Sequence, residues 1–258
     1  MMPRAKKSFG QNWLVDESVV EKIVKASEIV PGETVLEIGP GTGVLTRALL
    51  DAGAHVVAIE ADETLIKPLR EEFEDRIELI HGDILSSEMI FPTQEYKLVA
   101  NIPYNITSDI LRRFLTKEPK PTRMVLMVQK EVADRITATP PHMSLLSIMC
   151  QFYAQCRRVS KVPAGAFRPM PKVDSAVVRL DLLDPLERWG IDPEQAIRLA
   201  KIGFSSRRKQ LHGLLKHLPG LDSERMKKTL SELNLDPQIR AEALTIENWV
   251  ELTHKLEE

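Results

Sequence analysis

Along the first two-thirds of the chain, short runs of β-branched and aliphatic residues alternate with stretches whose apolar positions recur every three or four residues. That alternation predicts an α/β fold, a parallel sheet covered by helices on both faces. Strands are predicted at 34–38, 55–59, 77–80, 97–100, 123–128 and 173–183. Between them, residues 17–28 carry a helical stripe of Val19, Val20, Ile23, Val24 and Ala26, and 43–51, 63–74 and 108–116 fill the later crossovers. After Leu183 the pattern changes to helical spacing alone, with helices predicted at 192–204, 207–217, 223–233 and 246–256, bounded by Pro193, Pro219, Gly220 and Pro237. The expected domains are therefore an α/β domain over 1–185 and a small all-helical domain over 186–258.

Composition narrows the class. With 258 residues, 43% hydrophobic and 28% charged, the chain can bury a full core and still form a second domain. It contains no apolar run long enough for a membrane span, and no apolar stretch follows the basic residues of MMPRAKKSFGQNW, so a cytoplasmic protein with no membrane partner is expected. Cys150 and Cys156 lack CxxC spacing, which points to buried, reduced thiols rather than a disulfide framework or a zinc site.

A net charge of −2 argues against a nucleic-acid partner until its distribution is considered. Acidic residues crowd 60–95, whereas basic ones dominate 112–135, 157–179 and 198–216. One face can be strongly positive while the total stays near zero. Arg112, Arg113, Arg207, Arg208 and Lys209 are the candidate nucleic-acid contacts; the competing reading is that such runs are solvated helix faces.

The candidate chemistry lies at the predicted strand ends. The first long strand runs into Gly39-Pro40-Gly41-Thr42-Gly43 and then a helix, a turn where backbone can approach a ligand. Its GxGxG spacing differs from the GxGxxG of dinucleotide sites, and no Lys-Ser/Thr pair follows, so S-adenosylmethionine fits better than NAD or ATP. Glu60, after the second strand, is placed to accept the hydroxyls of a ribose, and Asp83, after the third, to accept from an adenine amine of the cofactor.

Asn101-Ile102-Pro103-Tyr104 ends the fourth strand. An aromatic amine is a poor nucleophile because its lone pair is delocalised. The Asn101 side-chain oxygen and the Ile102 carbonyl can accept its two N–H bonds and favour a pyramidal nitrogen. Pro103 constrains the backbone, and Tyr104 can stack on an extruded base. Such a site works by positioning and requires no metal.

Taken together these motifs resemble, over nearly the whole chain, the small-subunit ribosomal RNA adenine N6,N6-dimethyltransferases, the kasugamycin-sensitivity family. Gln11-Asn12-Trp13-Leu14, Glu37 to Gly43, Asn101 to Asn105, Phe167 to Ser175, Arg207-Arg208-Lys209 and Arg240 to Leu244 carry the resemblance. It implies a Rossmann-like class I methyltransferase sheet with an N-terminal lid, and a C-terminal helical domain that binds RNA and ribosome. Asn12, Leu14, Gly39, Gly41, Glu60, Asp83 and Asn101 would line the cofactor site, with Tyr104 and Phe167 sandwiching adenine. It further implies that a monomer methylates two adjacent adenosines in a hairpin near the 3′ end of small-subunit RNA, within a preassembled small ribosomal subunit. Two features depart from the family pattern: Trp13 replaces phenylalanine, and 139–145 lacks the expected Tyr-Gly. The alternatives are an RNA-binding assembly or transcription factor of the same fold, and an adenine methyltransferase acting on large-subunit RNA or DNA.

Overall fold

The structure, a computed structural model, describes residues 3, 5–6, 9–86, 89 and 91–257. The start of the expected N-terminal lid, at residues 1, 2, 4, 7 and 8, lies outside that set. The described strands are β1 (Trp13–Leu14), β2 (Thr34–Ile38), β3 (His55–Glu60), β4 (Ile77–His81), β5 (Tyr96–Asn101), β6 (Arg123–Gln129), β7 (Ala154–Val162), β8 (Phe167–Arg168) and β9 (Ser175–Leu182). The helices are α1 (Glu17–Ser27), α2 (Val44–Asp51), α3 (Glu63–Phe73), α4 (Thr107–Thr116), α5 (Lys130–Ile136), α6 (Leu145–Tyr153), α7 (Pro185–Trp189), α8 (Pro193–Gly203), α9 (Leu211–Leu215), α10 (Ser223–Glu232) and α11 (Ile246–Glu257).

Seven strands form one sheet in the order β4-β3-β2-β5-β6-β9-β7. The pairings from β4 through β6 are parallel, and β9 runs antiparallel to β6. Every residue of β2 is buried, as a strand covered on both faces requires. Because β2 has β3 on one side and β5 on the other, the chain's connections diverge there, and a crevice opens at the carboxyl ends of these strands. The crossover helices start where short polar side chains satisfy the first backbone donors: the Asp16 and Asp62 carboxylates accept from the amides of Ser18 and Thr64.

The chain divides into two compact units, Met1–Ala133 with Cys156–Leu182, and Asp134–Gln155 with Leu183–Glu258. A single cut at 185 thus leaves out 134–155. That segment joins the helical unit because α6, entered through a Ser144–Ser147 capping box, packs on α8 and α11. The core of this unit centres on the fully buried Trp249, whose ring lies 6.1 Å from that of Phe204.

Several elements differ from expectation, among them the short β1, β8, α5, α6 and α7, which were not predicted. The predicted helix at 207–217 shrinks to α9, since Leu211, Leu214 and Leu215 are the residues it can bury and Arg207-Arg208-Lys209 has none; that basic run forms a turn closed by the Lys209 amide on the Ser206 carbonyl. The last strand begins at Ser175 rather than 173, after the prolines at 169 and 171. Strand β7 was not expected, because its basic residues interrupt any regular alternation. No described helix is long and apolar enough to cross a membrane.

Candidate active site

The crevice is a cavity of about 440 Å³, within the ordinary range for a small-molecule site. Its floor is the glycine turn after β2. Gly39, Gly41 and Gly43 all have positive φ (66°, 60° and 72°), a conformation that side chains with a Cβ rarely adopt. At Gly41 space closes as well: a Cβ there would lie 2.8 Å from the Trp13 ring.

Glu60, the last residue of β3, is buried and held by the backbone. One carboxylate oxygen accepts from the Gly41 amide at 3.2 Å, the other from the Asp62 amide at 2.8 Å. Each oxygen keeps a lone pair, so the group can accept a vicinal diol. Burial raises its pKa, against these backbone bonds and with a further push from the Asp62 charge. Deeper in the floor, Glu37 accepts from the Thr46 hydroxyl at 2.7 Å. Burial lifts its carboxyl to about 8, with the bond from Thr46 opposing the shift and the proximity of Glu60 adding to it. Asp83 takes the Leu85 amide on one oxygen, at 2.9 Å.

A strap formed by the described residues before α1 covers this floor. Asp62 anchors it, accepting from the Lys6 ammonium at 2.6 Å and from the Gln11 amide at 2.8 Å. Burial opposes ionisation of Asp62, yet the bonds from Lys6, Thr64 and Gln11 outweigh it and depress the pKa. Farther along, the Asn101 side-chain amide donates to the Asn12 carbonyl at 3.4 Å. This orientation turns the Asn101 oxygen away from the strap's acceptor and leaves it able to accept an N–H from a substrate. Tyr104 stands beside it, its hydroxyl 2.7 Å from that of Ser175; burial raises its pKa, so it is a neutral ring at physiological pH.

Asn12, Leu14, Gly39, Gly41, Glu60, Asp83, Asn101, Ile102, Pro103 and Tyr104 all line this one cavity. Phe167 does not. Its ring is wholly buried in the core, and its backbone pairs with Leu14 in the small β1–β8 sheet. Arg112 is paired with Asp109, and Arg113 is spent on the Lys117 and Glu118 carbonyls, with its guanidinium 4.4 Å from the centre of the Phe91 ring. Elsewhere in the basic stretches, Arg123 and Arg179 are tied to Glu28 and Asp181, so they serve the sheet rather than a ligand. Arg207, Arg208 and Lys209 sit in the exposed turn of the helical unit.

Sequence reasoning missed Phe9, Gln11 and Glu37 as parts of the wall. Glu37 stands inside the glycine motif and was legible there. Gln11 stands inside the Gln11-Asn12-Trp13-Leu14 motif and was legible there too; Phe9 carried no signal except closeness to it.

A mainly parallel sheet in which β9 runs reversed, a glycine turn after its central strand and a carboxylate on the next define a Rossmann-like, class I methyltransferase that uses S-adenosylmethionine. The chain belongs to the ribosomal RNA adenine dimethylase family, whose model matches residues 2–258. It is 45% identical over 263 residues to the ribosomal RNA small subunit methyltransferase A of Thermosynechococcus vestitus, covering 99% of this chain and 98% of that one. The protein of the same description from Rippkaea orientalis is 41% identical, with 99% of each chain covered. Among solved structures, a dimethyladenosine transferase from Plasmodium falciparum superposes with a TM-score of 0.80 at 27% identity, over 93% of this chain and 95% of that one. The 23S rRNA methyltransferase ErmE does so with 0.79 at 30% identity, over 96% and 100%.

Proposed function

We propose that this enzyme dimethylates the N6 amines of two adjacent adenosines in a hairpin near the 3′ end of small-subunit ribosomal RNA, acting as a cytoplasmic monomer on a preassembled small ribosomal subunit. The small-subunit methyltransferases at 41–45% identity support this substrate over the large-subunit one that the ErmE likeness suggests.

The observation that carries the reading is the orientation of Asn101. Its amide donates to Asn12, which leaves the side-chain oxygen of this cavity-lining residue able to act as the acceptor beside Tyr104. A base slid against Tyr104 has its exocyclic amine gripped by the Asn101 oxygen and the Ile102 carbonyl, which orients the nitrogen lone pair away from both. S-adenosylmethionine supplies a methyl group already activated by its sulfonium. Glu60 would hold its ribose hydroxyls, Asp83 its adenine amine, and Asn12, Leu14, Gly39 and Gly41 the surface beneath it. The strap excludes water from above, and the Arg207-Arg208-Lys209 turn, with the exposed Arg112, supplies phosphate contacts.

The test is transfer of labelled methyl to small subunits lacking the modification, followed by mass mapping of nucleosides. Dimethyladenosine at two neighbouring positions of the 3′-terminal hairpin is expected. Transfer confined to large-subunit RNA would replace the substrate, and tight subunit binding with no transfer would make the chain an assembly factor.

A further inference from the structure

Large apolar side chains are exposed at six positions among the described residues: Phe9, Val30, Leu85, Met170, Val173 and Leu186. Single exposed hydrophobics are ordinary, but one of these lines the cavity and three lie in segments joined to its wall. Phe9 lines the cavity, and Leu85 follows the lining residue Ile84. Met170 and Val173 lie in the loop between β8 and β9.

Both ends of that loop are fixed to the cavity wall. At one end Arg168 pairs with Trp13, and at the other the Ser175 hydroxyl meets that of Tyr104 at 2.7 Å. Met170 is two residues beyond Arg168, so its backbone lies within about 7 Å of the Trp13 pairing. The loop is also stiff. Pro169 and Pro171 restrict the backbone on either side of Met170. Asp174 is tethered through its carboxylate to the Ala164 amide at 3.0 Å and to the Lys161 ammonium at 2.9 Å. The Arg168 guanidinium donates to the Gly165 and Phe167 carbonyls. The Met170 side chain, 67% exposed, is thus carried on an ordered loop whose two ends contact the cavity-lining residues Trp13 and Tyr104, with the cations Arg168 and Lys172 on either side in sequence.

We propose that Met170 is an intercalating side chain: as the target adenine leaves its stack for the cavity, the Met170 thioether enters the space it vacates and keeps the neighbouring base from closing it. No packing among the described residues accounts for an apolar side chain presented this way. An RNA strand supplies what the loop lacks, apolar base faces for the thioether and phosphates for the flanking cations. The inference rests on the RNA-adenine reading above, and it assigns the loop an opening role distinct from the amine-gripping role of Asn101.

The experiment compares wild type, Met170→Ala, Met170→Ser and Met170→Leu under single turnover on small subunits lacking the modification. The affinities for S-adenosylmethionine and for subunits and the melting temperature are measured alongside. The alanine and serine variants are expected to lose about tenfold in transfer rate while subunit affinity changes less than about threefold, and leucine, which restores apolar bulk, to recover to within about threefold of wild type. Alanine equal to wild type, or leucine no better than alanine, overturns the wedge and leaves the substrate reading standing. If wild type itself transfers nothing to these subunits, the substrate reading falls and takes the wedge with it.

Discussion

The two ends of the cavity are built differently. At the cofactor end, the carboxylates of Glu37 and Glu60 are buried, and Glu60 is gripped by main-chain amides of its own turn and of the glycine turn. At the proposed base end, Tyr104 and Phe9 are half-buried or exposed, and the strap is joined to the exposed Met170 loop by the two-residue pairing of β1 with β8. Rigidity suits a ligand that is the same at every turnover. An open apolar mouth suits a polymer that must be bent and entered. Asn101 stands between the two, a strand-end residue whose side-chain amide donates to the strap at Asn12 and whose oxygen is proposed to accept from the substrate amine.

The largest effect should come from that residue. Asn101→Ala is expected to cut the methyl-transfer rate on subunits by about a hundredfold or more while subunit binding is kept, because what disappears is orientation of the amine. An unchanged rate would leave Asn101 without that role. Next, Glu60→Ala should weaken S-adenosylmethionine binding about tenfold to a hundredfold, the worth of hydrogen bonds to a charged group, with no effect on subunit affinity measured without cofactor. A matching loss of subunit affinity would show that the two ends are not separable.

A subtler test concerns proton linkage at the floor. Glu37 titrates at about 8 in the folded chain against an ordinary 4.5, so between these values the native state holds a proton that the unfolded state has released. The stability associated with that proton is complete below pH 4.5 and is lost as the pH rises toward 8. Melting curves of Glu37→Gln should therefore lack part of the decline that wild type shows across pH 5 to 8; parallel curves would mean that Glu37 is ionised in the fold. The smallest effect is expected at Phe167. A ring already packed in the core loses on the order of 1 kcal/mol in Phe167→Leu, with transfer within about threefold of wild type. A large rate loss with the melting temperature intact would mean that the ring leaves the core to meet the base.

The same contrast separates what was legible in the sequence from what was not. The glycine turn, Glu60, Asp83 and Asn101 to Tyr104 each follow a strand that a local pattern identifies, and parallel strands deliver their ends to one edge, so spacing alone brought them together. The strap owes its place to Lys6 and Gln11 reaching Asp62 about fifty residues away, a pairing that no periodicity announces. Phe167 was expected on the target base because its motif resembles a loop that places an aromatic there, and motif resemblance is blind to burial. The sequence reading placed 134–155 in the α/β domain, whereas the fold groups it with the helical unit, for a similar reason. The apolar residues of α6 fit either unit by composition, and only their packing against α8 and α11 decides.

The contact between Trp13 and Gly41 has an evolutionary consequence. Position 41 is barred to other residues twice, by its backbone angle and by the indole that covers it, whereas position 13 is barred by neither. A smaller ring at 13 would lift one bar from the glycine and leave the other in force. Sequence drift at this contact is therefore one-sided: the strap can change its aromatic while the turn beneath it stays frozen, and new variants of this site should arise in the roof before they arise in the floor.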